Sequence, residues 1–155
     1  MWFQCFTGRA SVKGASRGES FFMPTKDCLV DLSEPPFFLL DTNELEIAYF
    51  ERVSHNLKYF DMVFVCKDYE TWVRIDAIPT KKLENVKTWI DSINVRYYEG
   101  AAALKWKDVL QVARSDPESF WDDGGWDGIF GPDPDGSGSD GSSDDEDDEA
   151  FESEE

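Results

Sequence analysis

The stretch Phe60-Asp61-Met62-Val63-Phe64-Val65-Cys66-Lys67-Asp68-Tyr69-Glu70-Thr71-Trp72-Val73-Arg74-Ile75-Asp76-Ala77-Ile78 decides the fold class. In an extended chain successive side chains point to opposite faces. Phe60, Met62, Phe64 and Cys66 therefore share one face, and Asp61, Val63, Val65 and Lys67 the other. Asp68–Glu70 supplies a short polar turn. Beyond it Val73, Ile75 and Ala77 alternate with Trp72, Arg74 and Asp76. Two alternating runs joined by a tight turn predict an antiparallel hairpin.

Toward the N-terminus the same kind of signal continues. Ser20–Met23, Cys28–Leu32 and Phe37–Leu40 are strand-sized and are separated by Pro24, Pro35 and Pro36. Leu45, Ile47 and Tyr49 alternate with Glu44, Glu46 and Ala48, the pattern of a half-buried strand. Residues 1–18 carry Arg9, Lys13 and Arg17 and no acid, a composition shared with organellar presequences. They are expected to form a poorly ordered N-terminus rather than part of the packed body.

Toward the C-terminus the period changes. Leu83, Val86, Ile90 and Ile93 recur at helical steps, with Thr80 placed to cap the start. A short strand is expected at Val95–Tyr98, ended by Gly100, and a second helix on Trp106, Val109, Leu110 and Ala113. Asp116-Pro117-Glu118 reads as cap, first helical position and first-turn acid of a third helix, which Gly124-Gly125 should stop. Several antiparallel strands followed by helices make an α+β domain, a small curved sheet or β-barrel closed by C-terminal helices. The body is assigned to residues 19–126. Residues 127–155 are expected to be a disordered acidic tail, because after Phe130 only Ala150 and Phe151 interrupt Gly, Pro, Ser, Asp and Glu.

Charge divides the chain along the same line. The 155 residues have a formal net charge of −18. All 15 basic residues lie between Arg9 and Arg114, whereas residues 116–155 hold 17 acids and no base. Nucleic-acid affinity comes largely from Lys and Arg on phosphates, so a direct DNA-binding role is disfavoured and a basic partner is favoured.

Candidate catalytic groups are few. A single histidine, His55, excludes multi-histidine metal sites, and a nucleophilic pair of His55 with Cys28 or Cys66 lacks any companion motif. Cys66 shares its strand face with Phe64 and Met62, so it reads as a small buried hydrophobe. Three cysteines with no paired spacing fit a reducing compartment. Asp133, Asp135, Ser137, Gly138 and Asp144 imitate a calcium loop without flanking helices, and an acidic linker explains them better. No catalytic residue, metal or cofactor is assigned, and the chain reads as non-enzymatic.

The strongest candidate site is the acidic run itself. Asp144, Asp145, Glu146, Asp147, Asp148 and Glu149 are consecutive, and Glu152, Glu154 and Glu155 follow. Blocks of like charge commonly serve only to solvate a chain. Phe151 sets this run apart, since an aromatic anchor amid carboxylates suits a basic surface with a shallow apolar pocket. Ser142 and Ser143 precede the acids as in acidophilic kinase sites, and phosphate would deepen the charge. Trp121 and Trp126 bracket the glycine pair and are expected to dock the last helix on the body.

A series of short motifs now resembles a known family. Phe50-Glu51-Arg52-Val53, Asn56-Leu57-Lys58-Tyr59-Phe60-Asp61-Met62-Val63 and Lys67-Asp68-Tyr69 are followed by Ile75-Asp76-Ala77-Ile78-Pro79 and Lys87-Thr88-Trp89-Ile90. Tyr97-Tyr98-Glu99-Gly100, Leu104-Lys105-Trp106, Asp116-Pro117-Glu118-Ser119-Phe120 and Gly124-Gly125-Trp126 complete the order. Together they resemble the large subunit of the FACT histone-chaperone complex. The resemblance implies that the body is the second pleckstrin-homology-like barrel of that subunit's middle domain. It implies histones as partners: the H2-type histone dimer for the acidic tail with Phe151, and H3–H4 for the barrel. It further implies the smaller FACT subunit as a partner, and a place in the nucleus, on the chromosome, in nucleosome reorganisation during transcription, DNA replication and repair. The family's aminopeptidase-like domain, dimerisation domain and first barrel have no counterpart in these 155 residues. Two alternatives stand beside this reading. One is a peptide- or lipid-headgroup-binding barrel with a passive tail, for which Lys81-Lys82 is the longest basic run. The other is a non-functional gene fragment.

Overall fold

The computed structural model describes residues 3–12, 15–33 and 35–131. The expected disordered tail lies outside them from residue 132 onward.

Eight strands form one curled sheet: β1 (Phe6–Val12), β2 (Ala15–Pro24), β3 (Cys28–Asp31), β4 (Phe38–Asp41), β5 (Leu45–Glu51), β6 (Tyr59–Cys66), β7 (Trp72–Pro79) and β8 (Arg96–Glu99). Their spatial order is β4-β3-β2-β1-β7-β6-β5-β8. The predicted hairpin is β6–β7, in antiparallel register from Tyr59↔Pro79 to Val65↔Trp72. Two meanders, β1 to β4 and β5 to β7, are joined where β1 pairs with β7. Helix α1 (Leu83–Ser92) follows and sends Val86, Trp89 and Ile90 into the enclosed core with Phe6, Phe22, Phe50 and Phe64. The Trp89 indole N–H is satisfied by the Thr25 carbonyl at 2.7 Å. This is the α+β arrangement of a small curved sheet closed by C-terminal helices that the sequence predicted. Beyond the barrel, β8 adds parallel to β5, and α2 (Trp106–Ser115), α3 (Pro117–Asp122) and α4 (Gly125–Phe130) cover the other side of β5 and β6.

The structure departs from the sequence reading in several places. Part of segment 1–18 is not peripheral: β1 sits mid-sheet, paired to β2 on one side and β7 on the other. Its inward positions are Phe6, Gly8 and Ala10, and two small residues hide the alternation. Gly8 is required there, since a Cβ would lie 2.6 Å from Ile75 Cγ2. The packed body also runs past residue 126 to Phe130, whose ring lies against Trp106 and Trp126. Gly124-Gly125 follows the end of α3 as expected, but α4 starts at Gly125 itself.

The strand β5 is buried on both faces rather than half-buried, because the C-terminal helices cover its outer side. On β7 the inward series Val73, Ile75 skips to Ile78. A bulge at Ala77 (φ 60°) lets Asp61 face two residues at once. Asp61 holds that bulge by accepting the Ala77 N–H at 3.1 Å and both arms of the Arg52 guanidinium at 2.7 and 2.8 Å. Thr80 does not cap α1; its hydroxyl donates to the Leu57 carbonyl at 2.9 Å.

Candidate functional site

The helical layer is built on the outer side of β5 and β6. Ile47, Tyr49, Val63 and Val65 meet Trp106, Leu110, Ala113, Phe120 and Trp126. The stripe on α2 matches the predicted one, and Asp116 caps α3 by accepting the Ser119 N–H at 3.1 Å. Carboxylates pin the layer from beneath. Glu51 is fully buried, and a lone buried charge would be costly. It accepts the Trp106 indole N–H at 2.8 Å and the Leu104 N–H at 2.7 Å, and it pairs with Arg74. Glu46 accepts the Tyr69 hydroxyl at 2.8 Å and the Trp126 indole N–H at 3.1 Å. Burial, then the neighbouring Glu46 carboxylate, pushes the Tyr69 phenol up to about 12. Asp127 on α4 takes the Tyr98 hydroxyl at 2.6 Å and an Arg96 contact at 2.9 Å, which tie the last helix to β8.

Above this base, α2, α3 and α4 enclose a groove of about 210 Å³. Val112 from α2 and Ile129 from α4 line it at 61% and 46% exposure. Asp116 and Asp123 stand on its walls, and Phe120 and the Gly125–Gly128 turn form part of its lining. Gly125 adopts φ 60° and a Cβ there would meet the Trp121 ring at 2.5 Å, so the tight α3–α4 corner depends on it. Trp121 lies on the other flank of α3, half exposed, beside Glu118 and Asp122. From Asp116 to Asp127 the chain carries five acids and no base. The arrangement is an apolar slot with an anionic rim.

The sequence-predicted site residues Asp144, Asp145, Glu146, Asp147, Asp148, Glu149, Phe151, Glu152, Glu154 and Glu155 all lie outside the described residues, as does the calcium-like segment 133–144. The described chain reaches Gly131, one residue beyond α4. Of the two tryptophans expected to dock the last helix, Trp126 is buried and does so, whereas Trp121 remains half exposed. The groove residues Val112 and Ile129 were missed. The available signal was their position off the buried stripes: Val112 adjoins Ala113 on α2, and Ile129 adjoins Phe130 on α4.

Cys66 is buried, and burial above all raises its thiol to about 11, which suits an inert core residue rather than a nucleophile. His55 lies exposed in the β5–β6 loop. Among the described residues no cluster of His, Cys, Asp or Glu could hold a metal ion.

Comparison with known proteins places this architecture. The family model for the histone chaperone Rttp106-like middle domain matches residues 11–99. The chain is 44% identical over 138 residues to the FACT complex subunit spt16 of Emericella nidulans, a match covering 88% of this chain and 13% of that protein. It is 40% identical over 134 residues to the FACT complex subunit SPT16 of Arabidopsis thaliana, covering 86% of this chain and 12% of that protein. The chain thus spans about an eighth of the length of these relatives. Among solved structures, the Spt16D Pob3N heterodimer aligns at TM-score 0.49 with 11% identity, over 68% of this chain and 57% of that chain. The pleckstrin homology domain of USP37 aligns at 0.46 with 13% identity, over 58% and 93%. On the match of the family model, the chain belongs to the histone chaperone Rttp106-like middle-domain family, and within it the chain is similar to the FACT complex subunits spt16 and SPT16.

Proposed function

We propose that this chain is a histone-binding module that occupies surfaces DNA would otherwise cover. The carboxylates from Asp144 to Glu155 stand in for DNA phosphate on the H2-type histone dimer, with Phe151 as an apolar anchor. The barrel offers a second surface, for H3–H4. The reading rests on the family and on one observation in the fold. The anionic, apolar groove of α2 to α4 precedes the acidic run in the chain, with Ile129 fifteen positions ahead of Asp144. A basic helix with an apolar edge would fit the groove, its side chains on Val112 and Ile129 and its charges on Asp116 and Asp123. At about 0.15 M salt the Debye length is about 8 Å, so the acids act near contact rather than at a distance. Burying the Phe151 ring contributes about 1–2 kcal/mol. The setting is nuclear chromatin during transcription, replication and repair, with the smaller FACT subunit as the companion chain.

Titration of the H2-type histone dimer tests this. The chain should bind most tightly, a Val112→Ser/Ile129→Ser variant and Phe151→Ala more weakly, and a chain ending at Gly131 weakest. Equal affinity across all four sinks the proposal.

A further inference from the structure

A second surface, at the opposite sign of charge, lies at the open end of the β6–β7 hairpin, away from its Asp68–Glu70 turn. The β5–β6 loop and the 3-10 turn at Thr80–Lys82 are bonded together there. The Thr80 N–H donates to the Lys58 carbonyl at 2.8 Å, and the Thr80 hydroxyl to that of Leu57 at 2.9 Å. Tyr59 pairs with Pro79 alongside. This junction gathers Lys58, Lys81 and Lys82, and no acid occurs within 54–60 or 79–83. Arg52, Arg74, Lys87, Arg96 and Arg114 are each matched by a carboxylate. Among the described residues the three lysines have no such ion pair; Lys82 donates to the Gln4 side chain at 2.9 Å instead. Leu57 and Tyr59 are exposed at 41% and 50% beside them. Glu84 is the nearest acid in the chain after the turn.

We infer that this lysine-bearing end of the barrel docks the chain's own segment 144–155, with Phe151 against Leu57 and Tyr59. The two partners are complementary in both respects that matter: nine acids in twelve residues face three unmatched lysines, and one aromatic faces two exposed apolar side chains. The segment can reach. Phe151 lies twenty positions beyond Gly131, a span that extends to about 70 Å. A body of this size has a radius of gyration of about 14 Å, that of a sphere of radius about 18 Å, so half its circumference is about 57 Å. Tethering raises the effective concentration to about the millimolar range, enough to populate a weak contact. A DNA duplex is the poorer occupant. Three lysines neutralise few phosphates, and the twelve acids of residues 132–155 would be held close to it. The docked state masks Phe151 and the acids until a more basic surface competes for them. That consequence for histones rests on the function proposed above; the contact itself does not.

Nuclear magnetic resonance on the full chain tests it without any histone. The Phe151 signals should shift and broaden at about 50 mM salt and recover at about 500 mM, where the Debye length falls from about 14 Å to about 4 Å. They should also recover in a Lys58→Glu/Lys81→Glu/Lys82→Glu variant whose β6 and β7 amides stay dispersed. In Phe151→Ala the amides of Leu57 and Tyr59 should move. Phe151 signals identical in the wild type and the folded lysine variant at low salt overturn the inference. So does a short DNA duplex that shifts the Lys58 and Lys81 amides at about 0.15 M salt while leaving Phe151 unmoved. If docking competes with histone, the lysine variant binds the H2-type dimer about threefold more tightly. An unchanged affinity alongside recovered Phe151 signals counts against the histone reading and leaves the contact standing.

Discussion

Inside the barrel, β5 and β6 present Ala48, Phe50, Phe60, Met62 and Phe64 to Trp89 and Ile90 of α1. Outside, the same two strands present Ile47, Tyr49, Val63 and Val65 to an aromatic layer seated on Glu46 and Glu51. The inner contacts are almost wholly apolar and enclosed, so their strength follows packed area and volume. The outer contacts add indole and phenol donors that terminate on carboxylates, so their strength follows satisfied charge as well. One pair of strands thus carries a barrel that is hard to open and a helical layer fixed by a handful of polar pins. The groove belongs to the second layer, where position matters more than bulk.

This contrast can be broken most forcefully from the inside. Trp89→Ala removes one of the two largest fully buried side chains among the described residues and should cost about 4 kcal/mol of stability. Denaturant unfolding would show both layers lost in a single transition. Glu51→Ala should cost about 3 kcal/mol, because it strands the Trp106 indole N–H and the Leu104 N–H and leaves Arg74 with Asp76 alone. Its hydrogen exchange should speed up first in α2 to α4, while β1, β2 and α1 keep their protection. Uniform loss of protection in both variants would erase the distinction between the layers.

The smallest expected effect is a slope in alkaline solution. Tyr69 titrates at about 12 in the folded chain, against an ordinary value of 10. The folded state therefore holds this proton more tightly than the unfolded one. Its contribution is complete below pH 10 and is lost as pH rises toward 12. Tyr69→Phe should flatten that loss in an alkaline unfolding series. The flattening should be partial, because burial also raises Tyr49 and Tyr98. An unchanged slope would mean that burial and Glu46 together do not hold the Tyr69 proton in the fold.

How much of this was legible follows the same division. The β6–β7 hairpin stood out because large apolar side chains alternate strictly from Phe60 to Cys66. The α1 and α2 stripes stood out for the same reason at a different period. β1 did not, because Gly8 and Ala10 occupy inward positions without the bulk that marks a core strand. The burial of both faces of β5 was hidden too, since a strand reports its own alternation and not what later packs on it. Nothing local marks Glu51 as buried; its partners Arg74, Leu104 and Trp106 are distant in sequence. The off-stripe residues Val112 and Ile129 looked like ordinary surface apolars until the α3–α4 corner brought them to one groove.

The ring of Phe130 bears on how the chain takes load. Among the described residues it is the last packed side chain, and it touches Tyr49, Tyr98, Trp106 and Trp126. Any pull exerted along residues 132–155 enters the fold at this ring. Those four contacts belong to β5, β8, α2 and α4, so tension is shared across strands and helices at once instead of peeling α4 away turn by turn. Phe130 is thus a mechanical anchor as well as a partly buried packing residue, able to hold the groove in shape when the chain beyond it is pulled.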